Sequence, residues 1–191
     1  MPKLHIGRPL KGYVCNSSWS SMDIFDHRKL FNSLLVGSFL AGCIALAWTV
    51  LDASSLPLGS PTGADMLLVF AVLLFAHEGL HLLGFPNAGL NSHTVIGIWP
   101  QIGAPYVQYL SPMSRRQFIV ALLLPVVILS LLPLIMVAVG TGAVAHLSWI
   151  SVLNCIGAGS DILIVGKLLS IVPANASVME SDGKLYWNPS I

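Results

Sequence analysis

An all-α integral membrane fold of four transmembrane helices, forming one membrane domain, is what this sequence predicts, on three observations. The 191 residues are 55% hydrophobic and only 9% charged, with a mean hydropathy of +0.80, whereas soluble domains carry roughly 25% charged residues. Four apolar runs reach the length of about 20 residues that a helix needs to cross a hydrocarbon core about 30 Å thick. The basic residues are confined to segments that an even number of spans would place on one side of the membrane.

Taken in order, residues 1–29 form a polar N-terminal segment containing Arg8, Lys11, Asp23, Asp26 and Arg28. A late-starting apolar run behind such a segment is not the layout of a cleavable signal peptide, so the segment is expected to be retained. The spans follow at about 30–51, 66–85, 118–139 and 147–172. Backbone polar groups in lipid must be satisfied within a segment, so each run reads as a helix. Pro125 and Pro133 predict a kink in the third.

The connection 86–117 is too long for a turn and is divided by Pro86, Gly89, Pro100, Gly103, Pro105 and Pro112. Two of its pieces, 93–99 and 106–110, have strand character and predict a short β-hairpin at the membrane surface. Residues 173–191 are a polar tail. All nine basic residues lie in the N-terminal segment, the 86–117 connection or toward the C-terminal end, and none in the connections 52–65 and 140–146. The positive-inside rule then sets both termini and the long connection in the cytoplasm, as in a multi-pass protein of the cell membrane.

Composition also excludes. A net charge of +1 offers no basic surface for nucleic-acid phosphates. Cys15, Cys43 and Cys155 form no CxxC pair, so neither a disulfide framework nor a thiolate metal site is indicated. Asn16 and Asn175 head glycosylation-type triplets, but both fall on the cytoplasmic side of this topology.

Of eight acidic residues, only Glu78 and Asp161 lie well inside a span. A carboxylate there is costly to bury, which makes each a candidate functional group. Glu78 stands in His77-Glu78-Gly79-Leu80-His81. Helical positions i and i+4 share a face, so His77 and His81 can turn their imidazoles on one zinc ion at Zn–N distances of about 2.0–2.1 Å. Glu78, one residue on, can reach a water at the metal without ligating it, the geometry of a general base. Gly79 leaves room beside the metal or serves helix packing.

Catalytic zinc commonly has three protein ligands. Asp161 is the best candidate for the third, because spans two and four run in the same direction and place it at the depth of His77. His5, His27, His93 and His146 lie at the wrong positions. Asn154, two turns before Asp161, is a candidate for holding substrate or a ligand, or for an interhelical hydrogen bond. The small residues Gly157 to Ser160 would let span four approach span two closely. Lys167 can snorkel to the interface and is given no catalytic role.

These residues resemble the zincin peptidase family of membrane proteins, which is related in plan to the site-2 intramembrane metalloproteases. The resemblance rests on His77-Glu78-Gly79-Leu80-His81 within a span, on Ser114-Arg115-Arg116-Gln117-Phe118 leading into the run with Pro125, and on Gly159-Ser160-Asp161 in the last span. It implies zinc held by His77, His81 and Asp161, Glu78 as base, and a membrane-protein or membrane-associated peptide as substrate. Site-2 enzymes typically show an asparagine, then a proline, then Leu-Asp-Gly; here Asn154-Cys155-Ile156-Gly157 lacks the proline and Ser160-Asp161-Ile162 stands in place of Leu-Asp-Gly. Two alternatives stay open: a non-catalytic metal-binding membrane protein (for transport or sensing, or a pseudoprotease), and a zinc hydrolase of a non-peptide substrate.

Overall fold

The computed structural model describes residues 1–12, 18–24, 27–51, 63–101, 103–140, 145–181 and 184–189, with the side chains of 27–29, 64–66, 145 and 146 excepted. Cys15, Asn16, Asp26 and most of the 52–65 and 140–146 connections lie outside the described residues, as do the side chains of His27 and His146.

The elements run in order as β1 (Lys3–Ile6), β2 (Ser20–Asp23), α1 (His27–Leu51), α2 (Gly63–Gly84), β3 (Thr94–Trp99), β4 (Ala104–Tyr109), β5 (Met113–Ser114) and α3 (Arg115–Pro125). A π-helical turn (Val126–Leu131), α4 (Leu132–Ala138), α5 (Ala145–Gly157), α6 (Gly159–Ile171), β6 (Ser177–Ser181) and β7 (Lys184–Asn188) complete the chain.

The fold is therefore mixed α/β, and the all-α prediction is overturned. The expected hairpin is present as β3 and β4, paired from Thr94–Tyr109 to Trp99–Ala104. The N-terminal segment adds β1 to it in parallel, giving the order β1-β3-β4. A second sheet, β2-β7-β6-β5, draws strands from the N-terminal segment, the long connection and the tail. These strands are two to five residues long; β6 and β7 form a hairpin, whereas β2 and β5 find their partners far away in sequence. Local periodicity carries no trace of such pairing.

Among the described residues, three helices are long and apolar enough to cross a membrane: Leu30–Leu51, Leu67–Gly84 and Arg115–Ala138. The third passes through the π turn as one 24-residue unit. The marked bend lies instead in the fourth run, where Leu147–Gly157 and Gly159–Ile171 meet at 51°. α1 and α2 expose large apolar side chains, among them Phe39, Leu46, Leu67 and Phe75, a surface that water would not favour.

Close packing fixes the bend. A Cβ on Gly159 would stand 2.0 Å from the Ser33 carbonyl, and one on Gly37 would stand 2.4 Å from the Ile156 carbonyl. The small residues therefore bring the fourth run against α1, rather than against the second span as the sequence suggested. α2 leans on α3 in the same manner, with Gly84 against Ala121. Ser114 starts α3 by accepting a hydrogen bond from the Gln117 N–H at 3.2 Å. The main apolar cluster, including Phe85, Phe118, Leu122, Leu168, Val178 and Leu185, seals α3 and α6 onto the four-stranded sheet. Each such side chain contributes roughly 1.5–3 kcal/mol by its burial.

Candidate metal centre

α2 presents His77 and His81 one turn apart, and α6 presents Asp161 in its first turn, directly after the bend. The three side chains converge. The two Nε2 atoms are 3.1 Å apart, and Asp161 Oδ2 lies 3.2 Å from His77 Nε2 and 3.5 Å from His81 Nε2.

The outer nitrogens decide the protonation. His81 Nδ1 is 2.8 Å from the Ala121 carbonyl, which can only accept, so Nδ1 carries the proton. That carbonyl is available because the residue four further on is Pro125, which has no N–H to donate to it. His77 Nδ1 is 2.8 Å from Asn154 Oδ1. Asn154 Nδ2 donates to the Pro125 carbonyl at 3.0 Å and to Ser130 Oγ at 2.9 Å, so its Oδ1 is the acceptor and His77 also donates from Nδ1.

Behind Asn154, Ser130 Oγ donates to the Ser151 carbonyl at 2.9 Å, and Ser151 Oγ returns a bond to the Ser130 carbonyl at 2.7 Å. All three polar residues are buried. Of the two open roles for Asn154, the structure places it against His77 and the third span.

Both Nε2 atoms consequently turn lone pairs toward Asp161 Oδ2, a buried oxygen with no hydrogen-bond donor. Three acceptors facing one another repel unless a cation lies among them. Their spacing suits zinc: tetrahedral ligands about 2.0–2.1 Å from the ion stand about 3.3–3.4 Å apart. The donor set fits the ion.

Glu78 is offset from this triangle, with ligand atoms of His77, Glu78 and His81 all within 4.8 Å of one another. Its Oε2 accepts from the Val107 N–H at 2.9 Å. Val107 belongs to β4, an edge strand of its sheet, so the free edge of β4 runs beside Glu78. Among the described residues, nothing outside the adjoining part of its own helix lies within 4 Å of a Cβ built on Gly79, which therefore borders open space rather than a helix contact.

The centre separates two cavities. One, of about 530 Å³, opens among α1, α2, α5 and α6 and includes Phe70, Leu74, Leu153 and Lys167 in its lining. The other, of about 480 Å³, lies toward the strands, with Trp99, Gln108 and Glu180 in its lining. The sequence pointed to no role for Glu180 and, for Lys167, only to that of an interface anchor. His5 is engaged with the Arg8 carbonyl and His93 lies beside Tyr109, so neither joins the centre. Cys155 is buried and Cys43 exposed, both free thiols.

The family described as "Putative zincin peptidase" matches residues 70–177, which include all four convergent residues. No curated protein and no solved structure matches the chain.

Proposed function

Since this chain belongs to the zincin peptidase family, we propose that it is a zinc-dependent intramembrane metalloprotease that hydrolyses peptide bonds of membrane-associated substrates. The observation that carries this reading is the triangle of His77 Nε2, His81 Nε2 and Asp161 Oδ2, 3.1–3.5 Å on its edges, with Glu78 beside it on a helix apolar enough to span a bilayer. His77, His81 and Asp161 would hold Zn²⁺, which supplies Lewis acidity and lowers the pKa of water.

Glu78 takes the proton of the attacking water and passes it to the leaving amine. To do so it releases the Val107 N–H, which then becomes free to pair with a substrate. An extended peptide adds along the open edge of β4, which brings its carbonyls past the centre. The cavity among α1, α2, α5 and α6 gives such a segment a route from the lipid side.

Orientation follows from the sheets. Strand pairing ties the N-terminal segment to β3 and β7, and the tail to β5, so all three segments sit at one end of the helices. Together with the confinement of basic residues to those segments, this supports a cytoplasmic placement for both termini and for the sheets.

The test is Glu78→Gln in detergent-purified protein. It should keep one zinc per chain and lose cleavage, and membrane peptides should accumulate in cells carrying it. Zinc binding by wild type, with no membrane peptides accumulating in cells that carry Glu78→Gln, would favour the non-catalytic reading.

A further inference from the structure

The strand-side cavity holds groups that the hydrolytic step does not use. Its far wall carries Glu180 of β6, Gln108 of β4, Trp99 of β3 and Arg8, facing Glu78, His81 and Asp161 across about 480 Å³. Gln108 is 3% exposed. Its Nε2 donates to the Leu10 carbonyl at 2.9 Å, which fixes the amide, and its Oε1 is buried with no donor. An acceptor left in that state costs about 1–3 kcal/mol.

Glu180 is half-buried in the same lining, and among the described residues its carboxyl group has no hydrogen bond or ion pair. The one cation on this wall, Arg8, has its guanidinium 5.9 Å from the Trp99 ring centre, over the ring face. Among the described residues neither oxygen acceptor meets a donor, and the Trp99 indole N–H in the same lining is likewise buried without a partner.

Most of the remaining lining is apolar, with Phe85, Phe118 and Leu122 among it, beside the hydroxyls of Tyr106 and Ser160. A long aliphatic stem with a charged head suits such a cavity, since it lays its methylenes on the apolar wall and delivers its donors to the oxygens. One carboxylate and one amide oxygen are too few to hold a metal ion by themselves.

Resting on the protease reading above, we propose that this cavity is a specificity subsite that receives a lysine or arginine side chain of the polypeptide substrate, with Glu180 as its counter-charge and Gln108 Oε1 as second acceptor. Burial, reinforced by the charge of Glu78, pushes the Glu180 carboxyl up to about 7. A bound cation relieves that penalty. Glu180 lies past the end of the family match at residue 177, so the preference would belong to this chain's own hairpin.

The experiment uses full-length protein in detergent, stripped of metal by a chelator so that retention does not depend on turnover. An equimolar decapeptide library is passed over it, and retained peptides are sequenced by mass spectrometry. Wild type should enrich peptides bearing Lys or Arg by about tenfold over Glu180→Gln, one charge-assisted contact's worth of selectivity. Glu180→Asp should keep part of the enrichment, and Glu180→Lys should turn it toward acidic peptides.

Equal Lys and Arg content for wild type and Glu180→Gln, or no retention by wild type, would overturn the subsite. Zinc is then restored to the retained set. Retention without cleavage would leave the subsite standing and bring down the protease reading instead.

Discussion

His81 donates its Nδ1 proton to the carbonyl of Ala121 at 2.8 Å, an acceptor left open because Pro125 stands where its helical partner N–H would be. A helix-breaking residue in the third span thus orients a ligand on the second. Pro125→Ala returns a competing N–H to that carbonyl. Zinc affinity should fall by about tenfold, at the low end of what outer partners of ligating histidines are worth, while the helix itself gains stability. Zinc titration against a chromophoric chelator, run beside thermal melting, reads both. Unchanged affinity would show that Ala121 serves both donors.

Asn154 makes the matching contact to His77 and anchors it to the Pro125 carbonyl and Ser130. Asn154→Leu strips the acceptor and strands buried partners. We expect zinc affinity to drop by about 10–100-fold and stability to fall by about 1–3 kcal/mol. In a cleavage assay saturated with zinc, KM should stay near wild type, because Asn154 acts through His77. A rise in KM alone would assign it to substrate.

Metal removal should be visible in stability. If zinc binds the folded arrangement of His77, His81 and Asp161 as proposed, a free concentration a hundredfold above Kd should add about 2.7 kcal/mol over the chelated protein. Asp161→Asn removes the one negative ligand of the triangle, and its affinity loss should exceed the roughly 10–100-fold expected for outer partners. Differential scanning with and without zinc measures this directly. A melting temperature indifferent to zinc would argue against the centre.

Much of the centre was legible in the sequence because its chemistry is local. His77, Glu78 and His81 lie within one helical turn, and Asp161 stood out as the other acid deep in an apolar run. What escaped was long-range. The Ala121 contact needed the pairing of two spans, although Pro125 four residues downstream was a readable signal. The tail hairpin had a signal too, since Asp182-Gly183 falls between short runs with strand character at 177–181 and 184–188. β1 and β2 gave none, as each finds its partner beyond two or more of the helices in sequence.

The two glycine contacts and Gly79 make opposite predictions. Gly159→Ala drives a methyl to 2.0 Å from the Ser33 carbonyl, backbone that cannot swing aside, and should cost about 1–3 kcal/mol. Gly79→Ala meets nothing within 4 Å and removes a flexible residue from a helix, so stability should rise by roughly 0.5–1 kcal/mol. Melting of the two variants in one detergent separates them. Equal destabilisation would mean that Gly79 borders an occupied surface.

Glu180 predicts a pH dependence. Burial, then the negative charge of Glu78, raise its carboxyl from 4.5 to about 7, so the folded chain holds a proton there that the unfolded chain has already lost. Stability from this group is complete below about pH 4.5 and is lost as pH rises through about 7. Glu180→Gln keeps the protonated shape at every pH. In metal-free protein, its melting temperature should therefore draw ahead of wild type as pH rises from 5 to 8, relative to their difference at low pH. A constant offset across that range would mean that Glu180 ionises freely in the folded chain, and that the strand-side cavity is wetter than its apolar lining suggests.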